Sequence, residues 1–159
     1  MYRGGRPNTV ARFLNGLSAL QFGAGLALSG WVTLEVTGRR TGHTVHCPLV
    51  VTGYRGERYL VSMLGGRANW VANVRAAHGE VVLRHGRREP VRLVEVEPAL
   101  RAPILRRFLA VAPGARPHVP VDRHAPLTEF ERIAADFPVF LVTEPGRDRS
   151  GILAGEGRR

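Results

Sequence analysis

Two arginines stand side by side in the stretch TGRRTG, Arg39 and Arg40, between Gly38 and Thr41. Runs of β-formers flank the stretch, so it reads as the turn of a hairpin. In a tight turn neither side chain has to pair with a neighbouring strand, and both can reach toward one multivalent anion. Guanidinium forks bind phosphate or carboxylate through paired hydrogen bonds, so the chemistry on offer is anion capture. The plainer alternative is a solvated turn kept soluble by its charges, and composition by itself favours it.

A second constellation runs through Ser62, Met63, Leu64, Gly65, Gly66 and Arg67 into Asn69 and Trp70. A strand that ends in glycines and enters a helix offers backbone N–H groups and the positive end of the helix dipole. Glycine also lets a flat ring or a phosphate approach the backbone closely. An ordinary turn would look the same. Trp70 and Asn73 lie one helical turn apart on a shared face, where Trp70 defaults to a core residue. Asn73 fits a core poorly, because a buried amide needs partners.

Other chemistries find less support. The stretch HTVHC offers His43, His46 and Cys47, but strand alternation separates His46 from the other two. No second cluster has metal-ligand spacing, so no metal site is expected. Cys47 beside Pro48 is more simply a small buried residue than a nucleophile. Serine-hydrolase, Walker and dinucleotide-binding motifs do not occur.

The elements that must position these residues follow from pattern and length. The chain has 159 residues, 44% hydrophobic and 23% charged, which fits one domain over residues 1–143 and a disordered tail over 144–159. The single cysteine points to a reducing, cytoplasmic compartment. Net charge is +10 with no lysine at all, which is compatible with anionic ligands but also with arginine as a general surface cation. The charge-poor segment after Arg12 could pass for a signal peptide, yet Asn15, Gln21 and three glycines dilute it. Phe13, Leu17 and Leu20 recur at helical spacing, so residues 1–29 are expected to form an amphipathic helix that covers the core or rests on a membrane surface.

Residues 31–37 alternate as a half-buried strand, and a second strand follows the 38–42 turn, with Pro48 marking an edge or a bulge. A third strand precedes Gly65. A helix is expected from an Asn69 cap to a stop at His78 and Gly79. Two more strands form a hairpin around Gly86. Residues 98–112 have helical periodicity that Pro103 should kink or divide. A proline-rich loop comes next, then a helix opened by a Thr128/Glu131 capping box, then a last strand. Strands joined by tight turns pair antiparallel, so the fold class is α+β: a small, mostly antiparallel barrel with helices packed outside.

At this point the motifs resemble a known family. TGRRTGHTVHCPLV, YLVSMLGGRANWVANVRAA and EVVLRHGRREPVRLVEV look like the deazaflavin-dependent nitroreductase and quinone reductase family of actinobacteria. The resemblance implies an FMN-binding-like split β-barrel that uses reduced coenzyme F-420, with FMN the less expected ligand. By that resemblance Arg39, Arg40 and Thr41 match the hairpin that holds the coenzyme's phosphate and oligoglutamate tail. Pro48 and Leu49 match the ring-side strand. Ser62, Met63, Leu64, Gly65, Gly66 and Arg67 match the strand end along the deazaflavin, and Trp70 and Asn73 match the following helix.

The resemblance implies hydride transfer from the deazaflavin to a flat, electron-poor, hydrophobic acceptor such as a quinone, an enone or a nitroaromatic. Ser62, His118 or solvent would supply a proton. Trp31 and His118 are the candidate substrate contacts. Split barrels often pair through exposed sheet faces, which allows a homodimer. Val45, Val50 and Met63 stand where family members often carry a basic, an aromatic and a basic residue. They support one alternative, a coenzyme-free barrel that binds lipids or small molecules or serves biosynthesis. The other alternative is a nucleic-acid binder built on Arg84, Arg87 and Arg88. Its aromatics are not interleaved with those arginines as a stacking platform requires, so no nucleic-acid partner is expected.

Overall fold

A computed structural model describes residues 30–145. The sequence expectations for residues 1–29, and nearly all of those for the tail, lie outside the described residues. Six strands form one closed antiparallel barrel in the order β1-β2-β3-β6-β5-β4. They are β1 (Gly30–Thr37), β2 (Thr44–Tyr54), β3 (Glu57–Val61), β4 (Glu80–Arg84), β5 (Arg88–Glu95) and β6 (Val139–Thr143). Among the described residues three α-helices accompany them: α1 (Asn69–Ala76), α2 (Ala102–Val111) and α3 (Leu127–Ile133).

Alternation builds the barrel. Val32, Leu34 and Val36 of β1 face a core shared with Leu60, Leu83, Leu93 and Phe140, and α1 turns Trp70, Val71 and Val74 into the same core. A second core lies outside the sheet, where Leu105, Phe108 and Leu109 of α2 and Phe130 of α3 pack on Val61 and Val139. Each core holds more than ten buried apolar side chains, so no metal or disulfide is needed to hold the sheet and helices together.

Pro48 occupies an edge. Along its first half β2 pairs with β1 only, and the β3 ladder begins at Val51 opposite Leu60. The Gly38 amide donates to the His43 carbonyl, and antiparallel alternation from that pair makes Thr33/Pro48 a non-hydrogen-bonded pair. The N–H that proline lacks would therefore have pointed to the open side.

Helix ends differ from expectation. The cap of α1 is Ala68, without a side-chain hydrogen bond, and Asn69 is the first helical residue. The cap of α3 is Pro126, which puts Thr128 inside the first turn and leaves no capping box. The expected proline-rich loop begins as a 3-10 turn over Pro113–His118. The expected helix over 98–112 is divided, into a 3-10 turn over Pro98–Leu100 and α2, and Pro103 sits in the first turn of α2, where a missing N–H costs nothing. Gly79 ends the α1 turn at φ 83°, where a Cβ would overlap the Leu93 carbonyl, so this stop is enforced by both conformation and space.

One buried cation ties the two layers together. Arg101 is 4% exposed. Its Nε donates to the Val96 carbonyl at 2.8 Å, its Nη1 to those of Ala134 and Phe137 at 3.0 and 3.3 Å, and its Nη2 to Glu95 at 3.2 Å. Arg101 thus fixes the 134–137 segment, which forms one wall of the site below.

Candidate functional site

The chain leaves the sheet at the end of β3 and returns to it through the Gly65–Arg67 turn and α1. The Ser62 amide donates to the Pro138 carbonyl at 3.0 Å. Gly65, at φ 84°, begins a 3-10 turn over Gly65–Arg67. A Cβ on Gly65 would press on the Asp136 carbonyl oxygen at 3.2 Å, so the close approach suits glycine. An open cleft of about 370 Å³ lies against this turn, lined by Met63, Leu64, Gly65, Gly66, Arg67, His118, Asp136 and Phe137.

The cleft brings together residues widely separated in sequence. His118, which the sequence suggested as a proton donor and substrate contact, stands exposed on the cleft beside the glycine turn. Met63 and Leu64 add apolar surface, 36% and 61% exposed. Asp136 and Phe137 belong to the wall and were not among the sequence candidates; only their place after the last helix, where the chain re-enters the sheet, could have hinted at them. Trp31 does not line the cleft. It is 53% exposed at the start of β1, opposite Val50.

Two candidates serve the scaffold. Ser62 is fully buried, and its hydroxyl donates to the Gly65 carbonyl at 2.6 Å, which braces the turn and commits the proton expected of it. Trp70 is 7% exposed and packs on Phe140 with ring centroids 5.6 Å apart, a core contact. Pro48 is exposed, whereas Leu49 is half-buried against the barrel core.

The basic hairpin is fastened to α1. The Arg39 amide donates to Asn73 Oδ1 at 3.0 Å, and Arg39 Nη1 donates to the same oxygen at 2.8 Å and to Asn69 Oδ1 at 3.2 Å. Asn73 is 3% exposed, so Arg39 is the partner its buried amide required. The turn is closed by the Gly42 amide on the Gly38 carbonyl and by the His43 amide on Thr41 Oγ1, at 2.9 and 3.1 Å. Arg40 projects from it, exposed. Among the described residues neither Arg39 nor Arg40 forms an ion pair with a carboxylate.

The arrangement suits an elongated anionic ligand with a flat head. Two uncompensated guanidinium groups stand at one end, and glycines without side chains stand at the turn. The sequence profile of the F420H(2)-dependent quinone reductase family matches residues 9–128. The chain belongs to that family. It is accordingly an oxidoreductase of the deazaflavin-dependent kind.

Two solved structures with TM-scores above 0.5 share the fold. The protein Atu2129 of Agrobacterium tumefaciens, of unknown function, is 13% identical with a TM-score of 0.53, over 73% of this chain and 49% of that one. A heme binding protein from Mycobacterium smegmatis is 12% identical with a TM-score of 0.51, over 78% and 53%. An F420-H2 dependent reductase, FDR-A, is 20% identical with a TM-score of 0.47, over 70% and 92%. Curated protein sequences give no match.

Proposed function

We propose that the protein binds reduced coenzyme F-420 along the open edge of β2 and uses it to reduce a flat, electron-poor acceptor, a quinone first of all. The observation that carries this reading is the pair of carboxylate-free arginines on the 38–42 turn, fastened through Arg39 to Asn69 at the start of the helix that follows the cleft's glycine turn, in a chain of this family. Arg39, Arg40 and the Thr41 turn would hold the phosphate and oligoglutamate tail, since guanidinium forks match both groups. Pro48, Leu49 and the Met63–Arg67 backbone would lie along the ring.

When bound, the reduced deazaflavin supplies the hydride. The protein's own part is orientation and proton supply. Gly65 and Gly66 let a planar group come close, and Met63, Leu64 and Phe137 offer apolar surface to a hydrophobic acceptor. His118 is placed to give or relay a proton at the cleft, and solvent can reach the same place because the cleft is open. Among the described residues no helix is long and apolar enough to cross a membrane.

Anaerobic oxidation of reduced F-420 by the full chain, with a naphthoquinone, a cyclic enone and a nitroaromatic tried separately, tests the reading. Saturable turnover with the naphthoquinone, reduced at least tenfold in Arg40→Ala, is the expected result. No oxidation with any of the three would overturn it.

A further inference from the structure

Arg39 is held in an unusual way for this molecule. Arg58, Arg75, Arg84, Arg88, Arg92, Arg101 and Arg132 each pair with a glutamate. Arg39 is held as firmly, by three hydrogen bonds, but every acceptor is an amide oxygen. An amide fixes the geometry of a guanidinium and leaves its charge intact.

At the exposed position 69 stability alone would favour aspartate, and at the buried position 73 stronger bonds to Arg39 would offset part of the cost of burying a carboxylate. A carboxylate accepts charge-assisted bonds roughly twice as strong as neutral ones. Position 69 is also the first residue of α1, where an acid would gain from the helix dipole, yet the first turn contains no acid. Asn69 and Asn73 are isosteres of the stronger choice, and what they preserve is the positive charge of Arg39 and of the helix end.

We propose that Asn69 and Asn73 are positioning residues that form a charge-preserving clasp: they orient Arg39 for an anionic ligand without neutralising it. In this role Asn73 acts through Arg39 and does not itself touch the ligand. The inference rests on the hairpin being the site for the coenzyme's anionic tail, and it adds which residues set the charge and geometry of that site.

The test replaces the amides by their charged isosteres, Asn73→Asp and, at an exposed position where folding is not at risk, Asn69→Asp. The full chain is titrated with inorganic pyrophosphate and, separately, with F-420, and each variant is melted. The clasp predicts a melting temperature equal to or above that of the parent for Asn69→Asp, together with affinity for both ligands weakened at least tenfold in each folded variant. A purely structural amide would leave affinity unchanged in the aspartate variants. Parent-like affinity in Asn69→Asp and in a folded Asn73→Asp therefore overturns the proposal. A parent chain that binds pyrophosphate but not F-420, with the aspartate variants weakened, keeps the clasp and removes the coenzyme reading. Binding of neither ligand by the parent overturns both.

Discussion

Two arginine clusters beside β1 are built on opposite plans. At the 38–42 turn, Arg39 is fastened by neutral amides and Arg40 is exposed. On the neighbouring β4–β5 hairpin Arg84 and Arg88 form a cross-strand pair, and both close on Glu35, which is only 6% exposed. Glu35 Oε1 accepts from Arg88 Nε and Nη2 at 3.3 and 3.0 Å, Arg84 Nη1 lies 3.2 Å from Oε2, and His46 Nε2 lies 3.7 Å from Oε2. Like charges directly opposite in a sheet repel, and here a buried carboxylate bridges them. The two clusters have the same residue type but different acceptors. At Glu35 the arginine charge is met by a buried carboxylate; at the 38–42 turn the acceptors of Arg39 are side-chain amides, which leave its charge in place.

The largest effect expected from this contrast is on stability. Removing both partners in Arg84→Gln/Arg88→Gln leaves Glu35 buried with only a distant histidine, which should cost about 3 kcal/mol in denaturant unfolding. Coenzyme affinity should stay within twofold of the parent. A folded protein that has lost affinity instead would blur the distinction between the clusters.

Arg101→Gln comes next, since it removes bonds to three carbonyls and the cation beside Glu95. A loss of roughly 2 kcal/mol is expected by the same unfolding measurement. Loosening of the 134–137 wall should appear as faster amide exchange there.

A pH effect sharpens the carboxylate half of the comparison. The Arg58 hydrogen bonds and the nearby His85 hold the Glu89 carboxyl down at about 2, with Arg58 Nη2 at 2.6 Å from its oxygen. A depressed folded pKa gives stability that is fully present above the ordinary carboxylate value of 4.5 and lost as pH falls toward about 2. Arg58→Gln should shrink the fall in melting temperature over that interval and leave melting above pH 6 almost unaffected by pH. Because Glu89 is partly exposed, the difference should be small at high salt.

The smallest effect concerns Cys47, whose thiol is pushed up by burial alone. Its reaction with a disulfide reagent at neutral pH should be slower than that of free cysteine and should quicken only in alkali. Fast reaction at pH 7 would contradict the packing of this part of β2.

Much of the fold was legible because its signals are local. Alternation in β1, the glycine turns and the edge-marking Pro48 require only neighbouring residues, and together they predict an antiparallel barrel. Helix starts differ from expectation for two separate reasons. Asn69 accepts from Arg39, thirty positions away, and Pro126 displaces the expected Thr128 cap. The contiguous parts of the proposed site, Arg39 to Thr41 and Met63 to Arg67, stand out in the sequence as motifs. His118 was named on weak grounds, and the cleft contains it; Asp136, Phe137 and the stapling Arg101 come from contacts between elements far apart in the chain. Ser62 shows the limit of judging from residue type, since its hydroxyl is spent on Gly65.

An F-420 titration followed by intrinsic fluorescence, with FMN as competitor, tests the central claim most directly when the parent, Arg39→Ala/Arg40→Ala and Arg84→Gln/Arg88→Gln are run side by side. Micromolar or tighter binding that the first variant loses and the second keeps, with FMN unable to compete, is the predicted result. Equal binding by parent and Arg39→Ala/Arg40→Ala would contradict it, because the uncompensated hairpin would then not be where the coenzyme is held.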